Sequence, residues 1–410
     1  MKLWTKILIG LACGLLAGMT LGPKAEIFKP LGTLFLNLIS MIIIPLVLAS
    51  IIVGITHIRD PSKLGRIGLK TVYTYLLTTL AAILIGIIFA KIFQPGLDLN
   101  IQIPSILVAP STTNLSDILL GLIPKNPIAA FVEGNILQIV VFALFLGIAI
   151  TFSGESGRPL ADFFESVFDV MSRLTAIIME ISPYGVFGIM AWMSGTFGLS
   201  VLLPLAKFVV VYYCACLVHI MIVFCSALYF KARISPWPFF KGMRDAIIMA
   251  FSTCSSSATL PVAMQCVQKN LGVSKSITSF VMPLGATVNM NGAALFQGMS
   301  AIFLAQVYAI DLGWQSLVAI VITSTFSAIG ATGVPGSGFL MLSYVFGSAG
   351  LPLEGIALFV SIDRIREMMS TVLNVLGDGV CAILVASGEG EFDERLYYQE
   401  ELAGLECDEV

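Results

Sequence analysis

Charge is what this chain has least of. Only 11% of its 410 residues are Asp, Glu, Lys or Arg, against roughly a quarter in an average soluble domain. Too few charges to cover a water-facing surface means that lipid serves as solvent over most of the length. Histidine is scarcer still, with His57 beside a basic loop and His219 alone in an apolar run. Neither histidine neighbours the serine-rich run at residues 255–257, so a nucleophile–base pair is poorly supported there and the chain is not expected to be an enzyme; His219 reads as a hydrogen-bonded contact between helices. The eight cysteines form no CxxC and no Cys/His ligand spacing, which argues against a metal centre or a disulfide framework. No basic cluster alternates with aromatics, so nucleic acid is not an expected partner. A net charge of −3 points to no partner of its own.

Hydrophobic residues make up 57% of the chain and the mean hydropathy is +0.96. About twenty apolar residues cross a bilayer. Membrane helices are accordingly expected at residues 7–21, 31–55, 71–93, 129–152, 164–193, 202–230, 276–310 and 353–386. The first, with Lys2 and Lys6 ahead of it, resembles a signal peptide, but further spans follow at once and it is read as an uncleaved helix. Arg59, Lys63, Arg66 and Lys70 crowd one loop, and Lys231, Arg233, Lys241 and Arg244 another, whereas residues 95–124 carry no Lys or Arg. Positive charge stays inside. Both termini are thus expected in the cytoplasm, and the tail from residue 388 to 410 reads as acidic and solvated.

Two uncharged stretches break where a lipid-facing helix should not. Within the hairpin expected at residues 238–268, the uncharged run 246–268 is interrupted by Ser255-Ser256-Ser257-Ala258-Thr259-Leu260-Pro261; within that expected at residues 315–346, the run is interrupted by Gly330-Ala331-Thr332-Gly333-Val334-Pro335-Gly336-Ser337-Gly338. Non-helical backbone at membrane depth survives only when buried in protein or lining a wet cavity. Paired interruptions of this kind mark the binding site of a carrier. The serine tip is expected to enter from the cytoplasm and the glycine tip from outside. Half-helix N-termini at such tips offer N–H groups to a carboxylate.

Polar residues recur late in the chain. Asp363, Glu367, Ser370, Thr371, Asn374 and Asp378 fall within an arc of roughly 100° on the last helix. A mid-bilayer carboxylate costs at least ~3 kcal/mol, so this stripe lines a site or pairs with Arg364 and Arg366. Asn289-Met290-Asn291-Gly292 interrupts another uncharged run. Its amides and opened backbone offer oxygen ligands to an alkali cation, or else hydrogen bonds between helices. Tyr75, Thr78 and Thr79 place hydroxyls at i, i+3 and i+4, a pattern that internal bonding also explains.

These motifs, with Pro283-Leu284-Gly285-Ala286-Thr287 and Asn374-Val375-Leu376-Gly377-Asp378, resemble those of the glutamate/neutral amino acid transporter family, the dicarboxylate/amino acid:cation symporters. The resemblance covers nearly the whole chain. It implies an all-α polytopic membrane protein with eight transmembrane helices, two re-entrant helical hairpins, inverted repeats and an elevator mechanism, assembled as a homotrimer in the plasma membrane. Residues 1–70 and 129–200 would form the scaffold, and residues 71–94 and 201–387 the transport domain. Carried over by motif, Cys254, Ser255, Ser256, Val334, Pro335, Gly338, Glu367, Ser370, Thr371 and Asn374 would contact substrate. Gly285, Asn289, Asn374 and Asp378 would hold one sodium ion, and Met290 with carbonyls of Thr287, Ala328, Ile329 and Ala331 a second. Tyr75, Thr78, Thr79, Asn289 and Asn291 match a third site, weakened because Asn291 stands where the family has Asp. Ser370 stands where acidic-substrate members place an arginine, which favours a small neutral amino acid over glutamate or aspartate; Arg366, one turn earlier, is the candidate replacement. A dicarboxylate cargo, proton coupling and a passive channel are the alternatives.

Overall fold

The computed structural model describes residues 3–56, 64–97, 123–133, 136–197, 202–330, 341–360 and 362–398. Among them the chain is helical, with one isolated antiparallel bridge, Val273 to Phe392. The early spans are α1 (Leu3–Leu21), α2 (Lys29–Thr56), α3 (Leu69–Phe93), α4 (Pro127–Glu133), α5 (Ile136–Phe152), α6 (Arg158–Phe197) and α7 (Leu202–His219). All but α4 lie at the expected spans. The chain of α7 continues through two π-helical turns, Ile220–Phe224 and Ala227–Ala232. His219, expected to be hydrogen-bonded, instead has both ring nitrogens unpartnered and packs edge-on against Phe224 at 4.8 Å.

The helices fall into two groups, each packed more closely within itself than against the other. α1, α2, α5 and α6 pack together. A stripe that the sequence reading passed over explains their closeness: Gly10, Gly14 and Gly18 lie against the backbones of Pro183, Phe187 and Ala191 on α6. Small residues four apart let helices approach where lipid offers no hydrophobic drive. The second group gathers around the last long helix.

That group holds α8 (Pro236–Gly242), α9 (Arg244–Thr253), α10 (Ser256–Gln265), α11 (Lys275–Val288), α12 (Asn291–Val307), α13 (Trp314–Gly330), α14 (Leu342–Ser348), α15 (Ile356–Val360) and α16 (Asp363–Glu389). Three differences from the expected spans are informative. The serine run is mostly helical: only Cys254 and Ser255 leave the helix, and α10 carries Pro261 within it. The uncharged run at residues 276–310 is two helices, parted at Asn289 and Met290. The final span starts at Asp363 rather than residue 353, after a separate short helix. The glycine tip, residues 331–340, lies outside the described residues, as does His57.

Among the described residues, three helices are long and apolar enough to cross a membrane: Arg66–Phe93, Leu203–Ala232 and Asp363–Glu389. The last is 89% buried inside the protein, against 39% and 44% for the others. Protein, not lipid, surrounds α16, and this is why it can carry carboxylates.

The acidic segment after α16 is anchored at some residues and solvated at others: Asp393 and Glu394 are exposed, as their charge implied, and residues 399–410 lie outside the described residues. Glu389 pairs with Lys70 at 2.6 Å and also with Arg66. The Ser274 hydroxyl donates to Glu391, and the Asp393 N–H donates to the Gly272 carbonyl at 2.8 Å. Asp393 then caps a final turn, α17 (Glu394–Tyr397). Tyr397, 3% exposed, donates its hydroxyl to the Ser235 carbonyl at 2.7 Å. Tyr397→Phe is expected to cost about 1 kcal/mol, seen as a small drop in Tm in detergent; an unchanged Tm would mean that this contact does not hold the segment down.

Candidate functional site

The site grows from the break between α11 and α12. Asn289 (φ −96°, ψ 65°) and Met290 (φ −94°, ψ 60°) leave the helix, so the last turn of α11 has carbonyls without intrahelical donors. That end carries the negative pole of the helix dipole. Opposite it stands Asp378, 2% exposed, whose Oδ1 accepts from the Asn289 amide at 2.8 Å. Gly285 is glycine because the space a Cβ would fill holds the Asp378 carboxylate and the Tyr75 hydroxyl.

α3 closes the third side. Thr78 Oγ1 lies 3.4 Å from Asn289 Oδ1, and Thr79 Oγ1 donates to Asn291 Oδ1 at 3.0 Å. Tyr75 donates to the Val281 carbonyl at 2.9 Å. The threonine hydroxyl of position 78 also bonds its own helix at Thr74 and Tyr75, so internal bonding and the shared cluster are both present. The Asn291 amide nitrogen is buried without a partner. Tyr75, Thr78, Thr79, Gly285, Asn289, Asn291 and Asp378 thus form one oxygen-rich cluster with a single buried carboxylate. A hard monovalent cation wants such a donor set.

Asn374 links this cluster to the rest of α16. Its Oδ1 accepts from the Gly292 N–H at 2.7 Å, and its Nδ2 lies 3.2 Å from Met290 Sδ. Tyr212 on α7, a residue the sequence reading missed, donates to the Gly292 carbonyl at 3.0 Å. Gly292 itself lies against the Ser370 backbone, with Ser370 Cα 2.5 Å from where a Cβ would be. No local pattern marks Tyr212; its role appears only when α7 is packed.

The serine tip faces the start of the stripe. Cys254 adopts φ +54°, a left-handed geometry that costs a non-glycine residue ~1 kcal/mol or more and clusters at functional sites. The Ser255 Oγ accepts from the Ala258 N–H at 3.2 Å, capping α10, and Ser256 is buried. α9 and α10 both pack on α16. Glu367, Ser370, Thr371 and Asn374 are all buried on α16. Ala328, buried, and Ile329, half-buried, lie near the end of α13, which packs on α11, the helix that carries Thr287. Ala331, Val334, Pro335 and Gly338 lie outside the described residues.

The two arginines differ sharply. Arg366 is 1% exposed; its Nε donates to Asp363 Oδ1 at 3.0 Å, its Nη2 pairs with the same oxygen, and its guanidinium sits 4.1 Å over the Phe296 ring. Arg366 is thereby committed to structure, as the alternative reading of the stripe anticipated for Asp363. Arg364 approaches Glu367 at 3.4 Å.

A profile of the sodium:dicarboxylate symporter family matches residues 3–387. The proton/sodium-glutamate symport protein of Geobacillus stearothermophilus is 35% identical over 402 residues, 95% of each chain. The proton/glutamate-aspartate symporter of Escherichia coli K12 is 35% identical, covering 97% of this chain and 96% of its own. The C4-dicarboxylate transport protein of Bacillus subtilis 168 is 30% identical over 404 residues, covering 96% of this chain and 95% of its own. With motifs, helical architecture and full-length likeness in agreement, this chain belongs to the sodium:dicarboxylate symporter family, whose members are transporters and not enzymes.

Proposed function

We propose that the chain is a secondary active symporter that imports a small amino acid together with sodium or protons, by an elevator movement. The observation that carries this is the cluster around Asp378: a buried carboxylate with only an amide donor for company is stabilised when a cation joins it. In this reading Gly285, Asn289, Asn374 and Asp378 hold one cation. Met290 with carbonyls of Thr287, Ala328, Ile329 and Ala331 holds a second. Tyr75, Thr78, Thr79 and Asn291 belong to a third, weaker site. Substrate lies between the serine tip (Cys254, Ser255, Ser256), the glycine tip (Val334, Pro335, Gly338) and Glu367, Ser370, Thr371 and Asn374. Asn374 serves both ligands, so each stabilises the arrangement the other needs.

The close packing of α1, α2, α5 and α6 on one another supports a fixed scaffold at residues 1–70 and 129–200, with residues 71–94 and 201–387 moving as the transport domain and touching the scaffold through α11 and α13. Eight spans, two re-entrant hairpins, a homotrimer in the plasma membrane and cytoplasmic termini complete the proposal. The relatives named for glutamate or aspartate favour an amino acid; the relative named for C4-dicarboxylates keeps a dicarboxylate as the second reading. Uptake of labelled amino acids and succinate into proteoliposomes tests it, comparing an inward sodium gradient, an inward proton gradient and neither. Accumulation that needs one of the gradients is expected. Equal uptake in all three conditions would rule out coupling, and currents far above carrier turnover would identify a channel.

A further inference from the structure

A substrate bearing a second carboxylate needs a cation in the pocket, and Ser370 cannot supply one. Arg366 does not supply it either: it is almost wholly buried, two of its nitrogens serve Asp363, and its face covers Phe296. Arg364 is placed differently. Relative to Thr371 it lies seven residues back, about 20° around the helix, so it shares the side of α16 that carries Glu367, Thr371 and Asp378. Its side chain is 13% exposed, and its buried Nε has no partner among the described residues. Its contact with Glu367 is 3.4 Å, long beside the about 2.7–2.9 Å of a well-formed charged hydrogen bond. A guanidinium offers five donors in a planar fork; here Nη1 approaches Glu367, which also lies 3.8 Å from Arg366, and the Nε donor is unused among the described residues. Its contact with Glu367 sets Arg364 beside the residue proposed to hold the substrate ammonium.

Resting on the symporter reading above, we infer that Arg364 recognises the side-chain carboxylate of an acidic amino acid, and that the loose Arg364–Glu367 pair opens to receive it. The substrate ammonium takes Glu367, the distal carboxylate takes the Arg364 fork, and the α-carboxylate remains for the tip N–H groups. Each charge of the pair then meets an opposite charge. A neutral amino acid has no group to offer Arg364. The cargo is therefore aspartate or glutamate, which revises the neutral preference that Ser370 alone implied.

The test uses the full-length transporter with aspartate, glutamate, succinate, serine and alanine as probes, read by thermal shift and by competition for uptake. Arg364→Gln is expected to weaken aspartate and glutamate roughly ten- to hundredfold, with the shift caused by sodium alone preserved and serine binding unreduced. Arg364→Lys should recover part of the loss, since it restores charge without the fork. Succinate weakened in parallel with aspartate supports the assignment, because both bring the distal carboxylate. Undiminished aspartate affinity in Arg364→Gln overturns it, and so does a wild-type chain that binds serine or alanine but not aspartate. Should Arg364→Gln lose the sodium shift through misfolding, Arg364→Lys decides: aspartate affinity equal to wild type overturns the inference, and a selective loss supports it. A wild-type chain that moves no probe under any gradient overturns the symporter reading itself, an outcome distinct from neutral-only transport.

Discussion

Asp378→Asn is expected to abolish cation-dependent uptake and to remove the stabilisation that sodium confers. The carboxylate is 2% exposed and its one hydrogen bond comes from Asn289, so a bound cation would be its chief electrostatic compensation. At an effective dielectric of about 20, one unit charge about 4 Å from another contributes about 4 kcal/mol, roughly a thousandfold in affinity. Sodium at 100 times its Kd stabilises the wild type by about 2.7 kcal/mol; a thousandfold weaker site at the same concentration gains under about 0.1 kcal/mol. The measurement is Tm against sodium, with choline balancing ionic strength. The sign without cation is equally diagnostic. Removing an uncompensated buried charge should leave the cation-free variant as stable as the cation-free wild type or more so. A variant that kept its sodium shift would move the cation away from α16. That result would also remove the principal support for the proposed function.

Gly292→Val is expected to damage the protein most among glycine substitutions near the site. The atoms that a Cβ would meet are the carbonyl, Cα and Oγ of Ser370, mostly backbone in a packed helix and unable to yield. Overpacking of this kind costs about 1–3 kcal/mol, and the lost bond from the Gly292 N–H to Asn374 adds about 1 kcal/mol. The readout is Tm together with the fraction of monodisperse protein in detergent, and uptake should fall in step. Gly347 on α14 is the control: a Cβ there meets nothing within 4 Å, so Gly347→Ala should be neutral or mildly stabilising. Equal tolerance at both positions would show that α12 and α16 are not held at this distance.

Much of the site was legible because polarity is costly in lipid. Asp363, Glu367, Ser370, Thr371, Asn374 and Asp378 share one face by the 3.6-residue period alone, and the protein does enclose that face. The breaks near Ser255 and Asn289 were legible from small and amide residues in uncharged runs. Their extent was not. Hydropathy registers that a helix is interrupted, whereas the number of open residues depends on neighbours: Ser255 caps α10 and so returns the chain to helix at Ser256. The anchoring of the acidic segment at Glu389 and Glu391 was not legible for a related reason. Charge at a terminus signals solvent unless opposite charge from a distant span, here Lys70 and Arg66, lies beside it.

By itself, the sequence determined that this chain lives in a bilayer, interrupts a helix at its Ser-rich stretch, and carries a polar stripe on its last helix. Those features follow from local composition and period, which short windows express in full. Only tertiary structure decided which polar residues meet. Asn289 reaches Asp378 and Thr78 across long separations in the chain, and Tyr212 reaches Gly292 from another helix. It also decided which arginine is open. Arg364 and Arg366 are two residues apart, hence about 200° apart around α16, and chemically identical until Phe296 and Asp363 occupy one of them.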